Sequence, residues 1–327
     1  MTRHPVLSER LRTVSGMTSR PDRTDPLFDL PTPPDGAPEA EARGGAETAE
    51  QLPLFGAEET GGAEETEARA DPGGEGRAAG AEQLPVAAEQ PQVAAGLPWP
   101  QLPRAAFDLE TTGKDAEQCR IVTAALLLIE PDGTVSRRWD WLADPGIEIP
   151  GGAAAVHGIT TEQAREQGRP ASEVVPEIVA AVAQLMGRGI PVMAFNASYD
   201  FTVLAAEARR HGLEAPRAFP VLDPYVMHKH VRVRWRGKRT LVALSEAYGV
   251  VLSEAHTSGA DALAAEQVAR RLADEFDELH LSPAQIHEAQ VRWSREQAAD
   301  FQAFLRERKQ DPSIVIDGTW PVRDLDG

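Results

Sequence analysis

A break in composition near residue 103 limits what this chain can fold into more than any other feature. Residues 1–102 are dominated by Ala, Glu, Gly and Pro, as in GGAETAEQLPLFGAEETGGAEETEARADPGGEGRAAGAEQLP. Such a stretch buries too little apolar surface to offset chain entropy, so it is expected to be a long disordered acidic N-terminal tail. The net charge of the whole chain is −18. The tail holds about 18 acidic and about 8 basic residues, so about −10 of that charge lies on it. About 25 basic and about 33 acidic residues lie beyond it. Met17 is a second candidate start. The 327 residues have room for one or two domains and a large core. The single cysteine, Cys119, excludes an internal disulfide framework and a multi-cysteine zinc site. No apolar run approaches the roughly 20 residues that span a bilayer, and the Arg-interrupted N-terminus lacks a secretory signal. These features predict a soluble protein of a reducing compartment, the cytoplasm, with no membrane partner.

Beyond the break the pattern is α/β. Arg104 to Leu109 is a short apolar run, and Ile121 to Ile129 (IVTAALLLI) reads as a buried strand. The Pro131-Asp132-Gly133 turn leads to a hairpin partner from Val135 to Leu142. Ser172 to Met186 reads as a helix capped by Ser172, Pro191 to Phe195 as a central strand, and Tyr199 to His211 as a helix closed by Gly212. Val221-Leu222 is a short strand ending at Asp223. Helices follow over Thr240 to Tyr248 and Gly259 to Phe276, and Ser282-Pro283 opens a long one reaching about Lys309. An antiparallel meander followed by alternating elements predicts a mixed sheet flanked by helices. Residues 277–327, with Val291, Trp293, Phe301 and Leu305, are expected to be a helical extension docked on the core.

The residues able to do chemistry are few. Asp108 and Glu110 stand two apart at a strand end, which points both carboxylates to one face. Like charges so close suggest a hard-metal site, while a solvent-exposed strand end is the plainer alternative. Asp200 falls in the first turn of a helix, where the helix dipole alone favours an acid. Asn196 could cap that helix or reach a substrate. His256 lies on a Ser/Gly loop five residues before Asp261, where a histidine near carboxylates can deprotonate water. From His228 to Arg239 the sequence HKHVRVRWRGKR carries six Lys or Arg and no acid. It is either a solvated face or a phosphate-binding loop.

In combination these parts are far more specific. FDLETTG (Phe107 to Gly113), FNASYDFTVL (Phe195 to Leu204) and HTSGADA (His256 to Ala262) occur in fixed order, with VHGIT (Val156 to Thr160) and GKRTL (Gly237 to Leu241) between them. Over residues 103 to 276 the chain resembles the DEDDh family of 3′→5′ exonucleases in the ribonuclease H-like superfamily. It is similar to the proofreading subunits of bacterial replicative polymerases and their free-standing relatives. The resemblance implies that Asp108, Glu110, Asp200 and Asp261 hold two Mg²⁺ or Mn²⁺ ions and that His256 is the general base. Two ions about 4 Å apart can activate a water and stabilise a leaving 3′ oxygen, and four carboxylates balance their charge. Thr111, Thr112 and Gly113 would hold the terminal nucleotide through backbone N–H groups. Arg236, Lys238 and Arg239 of the basic loop would then guide a single strand. Phe195 departs from relatives with His before the Asn.

Gln51-Leu52-Pro53-Leu54-Phe55 is the one compact apolar segment in the tail. It resembles the pentapeptide by which bacterial polymerases and repair proteins dock on the sliding clamp, Gln51, Leu52, Leu54 and Phe55 being the pocket-filling residues. A compositional accident is the alternative, since Gln83-Leu84-Pro85 repeats its start. The expected organisation is a tail over 1–102, an exonuclease domain over 103–276 and an extension over 277–327. The expected function is removal of nucleotides from single-stranded or frayed DNA 3′ ends in replication or repair. RNA 3′-end trimming, or a non-catalytic clamp-binding adaptor on a nuclease fold, are the alternatives; all five chemical residues being present speaks against the adaptor.

Overall fold

The computed structural model describes residues 96–252 and 256–325. The tail up to residue 95, with Gln51, Leu52, Leu54 and Phe55, lies outside the described residues. A six-stranded sheet runs through the fold in the order β4-β3-β2-β1-β5-β6. Strands β1 (Arg104–Thr111), β2 (Ile121–Ile129) and β3 (Val135–Asp144) form an antiparallel meander, with β4 (Arg169–Pro170) beside β3. Parallel strands β5 (Val192–Met193) and β6 (Val221–Leu222) extend the other side of β1. The helices are α1 (Gly151–His157), α2 (Thr161–Gln167), α3 (Ala171–Gly187), α4 (Ala197–Arg210), α5 (Pro224–Val231), α6 (Leu241–Ala247), α7 (Ser258–Glu275) and α8 (Pro283–Lys309). The architecture is the ribonuclease H-like mixed sheet flanked by helices that the sequence predicts.

The two faces of β1 explain how the layers form. Ala105, Phe107 and Leu109 join the cluster under α3 and α4, with Val175, Ile178, Val182, Phe201 and Leu204. The intervening residues face α7, where Ala106 packs with Ala125, Leu127 and Ala262. The continuous apolar run of β2 follows from cover on both faces. Helix α7 buries Ala262, Ala264, Ala265, Ala269 and Ala273, and these small side chains let it approach the sheet closely. Its first turn lies under Arg138 of β3, and a side chain at Gly259 would collide with that guanidinium. Thr123 Oγ1 donates to Ser258 Oγ (3.3 Å), tying the same turn to β2.

Some boundaries and caps differ from expectation. The fold begins before residue 103: Trp99 is fully buried, its indole N–H donates to Leu279 O (3.0 Å), and Leu102 is buried too. Trp99 packs with Leu272, Leu279 and Ile286, a contact that local composition does not reveal. Ser172 does not cap α3; Pro170 takes the cap position because the β4 bridge ends there and the helix starts at Ala171. Asn196 occupies the cap of α4 in the left-handed region (φ 60°) and its side chain makes no capping bond. Helices α1, α2 and α5 were not anticipated, although Thr160 and Gln163 form a capping box for α2.

The extension packs back on the sheet edge. His287 Nδ1 accepts from Val221 N (3.1 Å), and Gln290 Oε1 accepts from Asp223 N (2.7 Å). The chain then returns along the core, burying Trp320, with Arg323 N donating to Thr202 Oγ1 (3.0 Å). Among the described residues no helix is long and apolar enough to cross a membrane.

Candidate active site

Three elements bring the acids together at one end of β1. Arg104, Ala106, Asp108 and Glu110 share the α7 side of that strand by its two-residue period. On α7, Glu266, Ala262 and Asp261 meet them in reverse order: Arg104 pairs with Glu266, Ala106 packs with Ala262, and Asp261 reaches the acids. One carboxylate oxygen from each of Asp108, Glu110 and Asp261 lies within 4.8 Å of the others. Asp200, buried in the first turn of α4, is stitched to the same strand end, where Leu109 N–H donates to its Oδ1 (3.1 Å). It stands outside the three-residue group but acts strongly on Asp108.

The electrostatics suit a bound cation. Burial, then the Asp200, Glu110 and Asp261 carboxylates, holds the Asp108 carboxyl well above the usual range. Burial and Asp261 push Glu110 up to about 8. Burial raises Asp200 as well, with the Asp223 and Glu110 charges adding to it. Burial raises Asp261, which the His256 backbone bond and charge partly offset. The donors are all carboxylate oxygens, the set that a hard divalent cation takes, and a cation among them removes their mutual repulsion.

A pH test follows from these shifts. Glu110 titrates near 8 in the fold and near 4.5 in the open chain, so the folded state holds more protons over that range. Stability of the metal-free protein therefore falls as pH rises toward 8. Burial depresses His228 and His287 to about 4, which gives the opposite slope below pH 6.5. Between pH 6.5 and 8.5 the carboxylates remain, and we expect a loss of about 1 kcal/mol, roughly 3 °C of melting temperature, in chelator. Saturating Mn²⁺ should flatten that slope in thermal melts; an equal slope with and without metal would show that no cation enters the cluster.

The remaining sequence-predicted residues divide. His256 stands at φ 72°, unusual for a side-chain-bearing residue, and its N–H donates to Asp261 Oδ1 (3.4 Å). Thr111 Oγ1 donates to Gly113 O (2.7 Å), which rigidifies the turn after β1. The Thr112 N–H donates to Arg120 O (2.9 Å). In the basic loop Arg236 and Lys238 are exposed, beside a hollow of about 440 Å³ lined by Val231 to Trp235. Arg239 turns inward instead, donating to His228 Nδ1 (3.2 Å) and Arg232 O (2.8 Å).

Two organising residues escaped the sequence reading. Asp223 is buried and accepts from Asn196 N and Ala197 N (both 3.0 Å), from Tyr225 N (2.9 Å) and from the Trp320 indole (3.2 Å). It thereby supplies the cap that Asn196 does not, and so fixes the helix carrying Asp200. Its own signal, Asp before Pro224 at a helix start, is local and legible. The bonds to residues 196, 197 and 320 are not. Tyr199 OH donates to Gly113 O (2.5 Å) and touches Thr111 Oγ1, holding the turn from α4.

The exonuclease family RNase T matches residues 105–269, half of the chain. No curated protein matches it. Among solved structures, it is similar to Escherichia coli exonuclease I with a dA16 oligonucleotide, at 20% identity and a TM-score of 0.48, over 55% of this chain and 42% of that one. It is also similar to the exonuclease I of Methylocaldum szegediense, at 20% identity and a TM-score of 0.43, with the same two coverages. The chain thus spans less than half the length of these structures. Its matched segment contains the carboxylates of β1, α4 and α7, and the chain belongs to the RNase T exonuclease family.

Proposed function

We propose that the protein is a metal-dependent 3′→5′ exonuclease acting on single-stranded or frayed DNA 3′ ends in replication or repair. The observation that carries this reading is the convergence of Asp108, Glu110 and Asp261 within 4.8 Å on one face of an exonuclease fold. With Asp200 they would hold two Mg²⁺ or Mn²⁺ ions. Such ions lower the pKa of a water and neutralise charge on the leaving 3′ oxygen. The His256 imidazole accepts the proton of the attacking water, and Asp261, bonded to the His256 backbone, keeps that residue beside the carboxylates. Exposed Arg236 and Lys238 attract the phosphate chain toward the site, offsetting the negative charge of the protein as a whole. Residues 99–276 would form the catalytic unit and 277–325 its brace.

The test uses matched single-stranded DNA and RNA labelled at the 5′ end, with Mg²⁺ or with chelator. Stepwise shortening from the 3′ end of DNA, stopped by chelator, is expected. Internal cuts or shortening from the 5′ end would overturn the polarity. Faster loss of RNA would replace DNA by RNA trimming.

The QLPLF segment is proposed to dock on the polymerase sliding clamp, as a short apolar anchor within an Ala/Glu/Gly/Pro-rich sequence. Replacing Leu54 and Phe55 together by Ala should lower retention by purified clamp about tenfold or more. Equal retention of the double variant would remove clamp binding from the description.

A further inference from the structure

The carboxylates have two flanks. On the β2 flank lies the Thr111–Gly113 turn, bonded across to Arg120. On the other flank, Ala106 pairs with Met193 in parallel register, and Phe195 lies in the turn two residues beyond Met193, at the end of the sheet that carries Asp108. Phe195 packs with the same cluster as Met193 and Leu222, on the α7 side of the sheet. Tyr225, in the first turn of α5, sets its ring against Phe195 with centroids 5.7 Å apart and a 58° tilt. One turn later Lys229 holds its ammonium 5.0 Å from the centre of the Tyr225 ring. Phe195, Tyr225 and Lys229 are all half-buried, and the Asp223 charge also acts on Lys229.

From this placement we infer that Phe195 and Tyr225, with Lys229 beside them, form a stacking subsite for a nucleobase upstream of the scissile phosphate. The inference rests on the exonuclease reading above and adds a place for the strand that remains bound. A half-exposed aromatic pair offers stacking surface to a base, and the Lys229 ammonium beside it suits an adjoining phosphate. With the terminal nucleotide at the β2 flank, the strand entering from the β5 flank crosses these rings next to the carboxylates. Phe195 gives this site a sequence-tolerant surface in place of a hydrogen-bonding side chain.

The experiment is a cycle between protein and substrate. Wild type, Phe195→Leu and Tyr225→Leu are compared on intact single strands and on strands with one abasic position, second to fourth from the 3′ end. Each variant should raise KM on the intact strand by roughly tenfold. On the strand abasic at the stacked position, wild type should lose the same factor and the variants should lose no more. Losses that multiply at every position, or no loss at all, would overturn the subsite and leave the exonuclease reading standing. A wild-type chain that digests no 3′ end would overturn both. Lys229→Gln, which leaves the aromatic pair intact, should reduce the salt dependence of KM by about one phosphate contact; an unchanged slope would count against the site even if the Leu variants unfold.

Discussion

Replacement of Asp108 by Asn is expected to reduce nucleotide release about a thousandfold or more while making the metal-free protein more stable. Losing one preorganised group that stabilises developing charge costs roughly a hundred- to a thousandfold, and a metal ligand stands at the upper end. The stability gain has a separate cause. Asp108 is half-buried beside Asp200, Glu110 and Asp261, each of which raises its pKa. An amide of the same shape removes one of the repelling charges without leaving a void. Thermal melts in chelator and turnover of a labelled strand in Mg²⁺ check both halves. Undiminished turnover would remove Asp108 from the site, and a lower melting temperature would show that its charge is balanced by something other than a cation.

Replacing Glu266 by Ala should cost about 3–5 kcal/mol, or roughly 10 °C in melting temperature. Arg104 is fully buried in β1, and its Nε–H donates to Glu266 Oε1 at 2.6 Å. Removing the carboxylate strands a guanidinium whose remaining bonds go to the Glu130 and Leu102 carbonyls (3.0 and 3.4 Å). Burial already lowers the pKa of Arg104, with Glu266 opposing that effect. The pair also matters for function. It fixes where α7 sits along β1, and Asp261 lies five residues before Glu266 on the same helix. Activity should therefore fall along with stability. Arg104→Met combined with Glu266→Met should recover most of the stability, since a packed apolar pair replaces a buried ion pair at little cost. A melting temperature unchanged in Glu266→Ala would mean that the guanidinium finds water, and that α7 is held by its alanine face alone.

The sequence disclosed the parts whose logic is local. The D-x-E spacing of Asp108 and Glu110 follows from strand period, and the buried run of β2 from cover on both faces. His256 and Asp261 could be placed before and within a helix because Ser, Gly and acid cluster there. What stayed hidden depends on contacts across the chain. Trp99 packs against residues near 280, and Asp223 caps α4 from a different strand. Arg239 reads as a phosphate ligand among six cations, yet it donates to the Arg232 carbonyl and to His228 Nδ1 on α5. The Thr111–Gly113 turn looked open by composition, while its Thr112 N–H is used in the hairpin. Charge followed the same rule. Much of the net −18 lies on the tail, and four more acids gather at one strand end.

The metal cluster is tested most directly by titrating Mn²⁺ into chelator-stripped full-length protein in a calorimeter, with Asp108→Asn in parallel. Wild type should bind two ions with release of protons near pH 7.5, because Glu110 titrates close to 8 and must ionise to take a cation. Asp108→Asn should lose at least one of the two. A wild-type protein that takes up no Mn²⁺, or a variant that binds it equally, would contradict the assignment of these carboxylates to a metal.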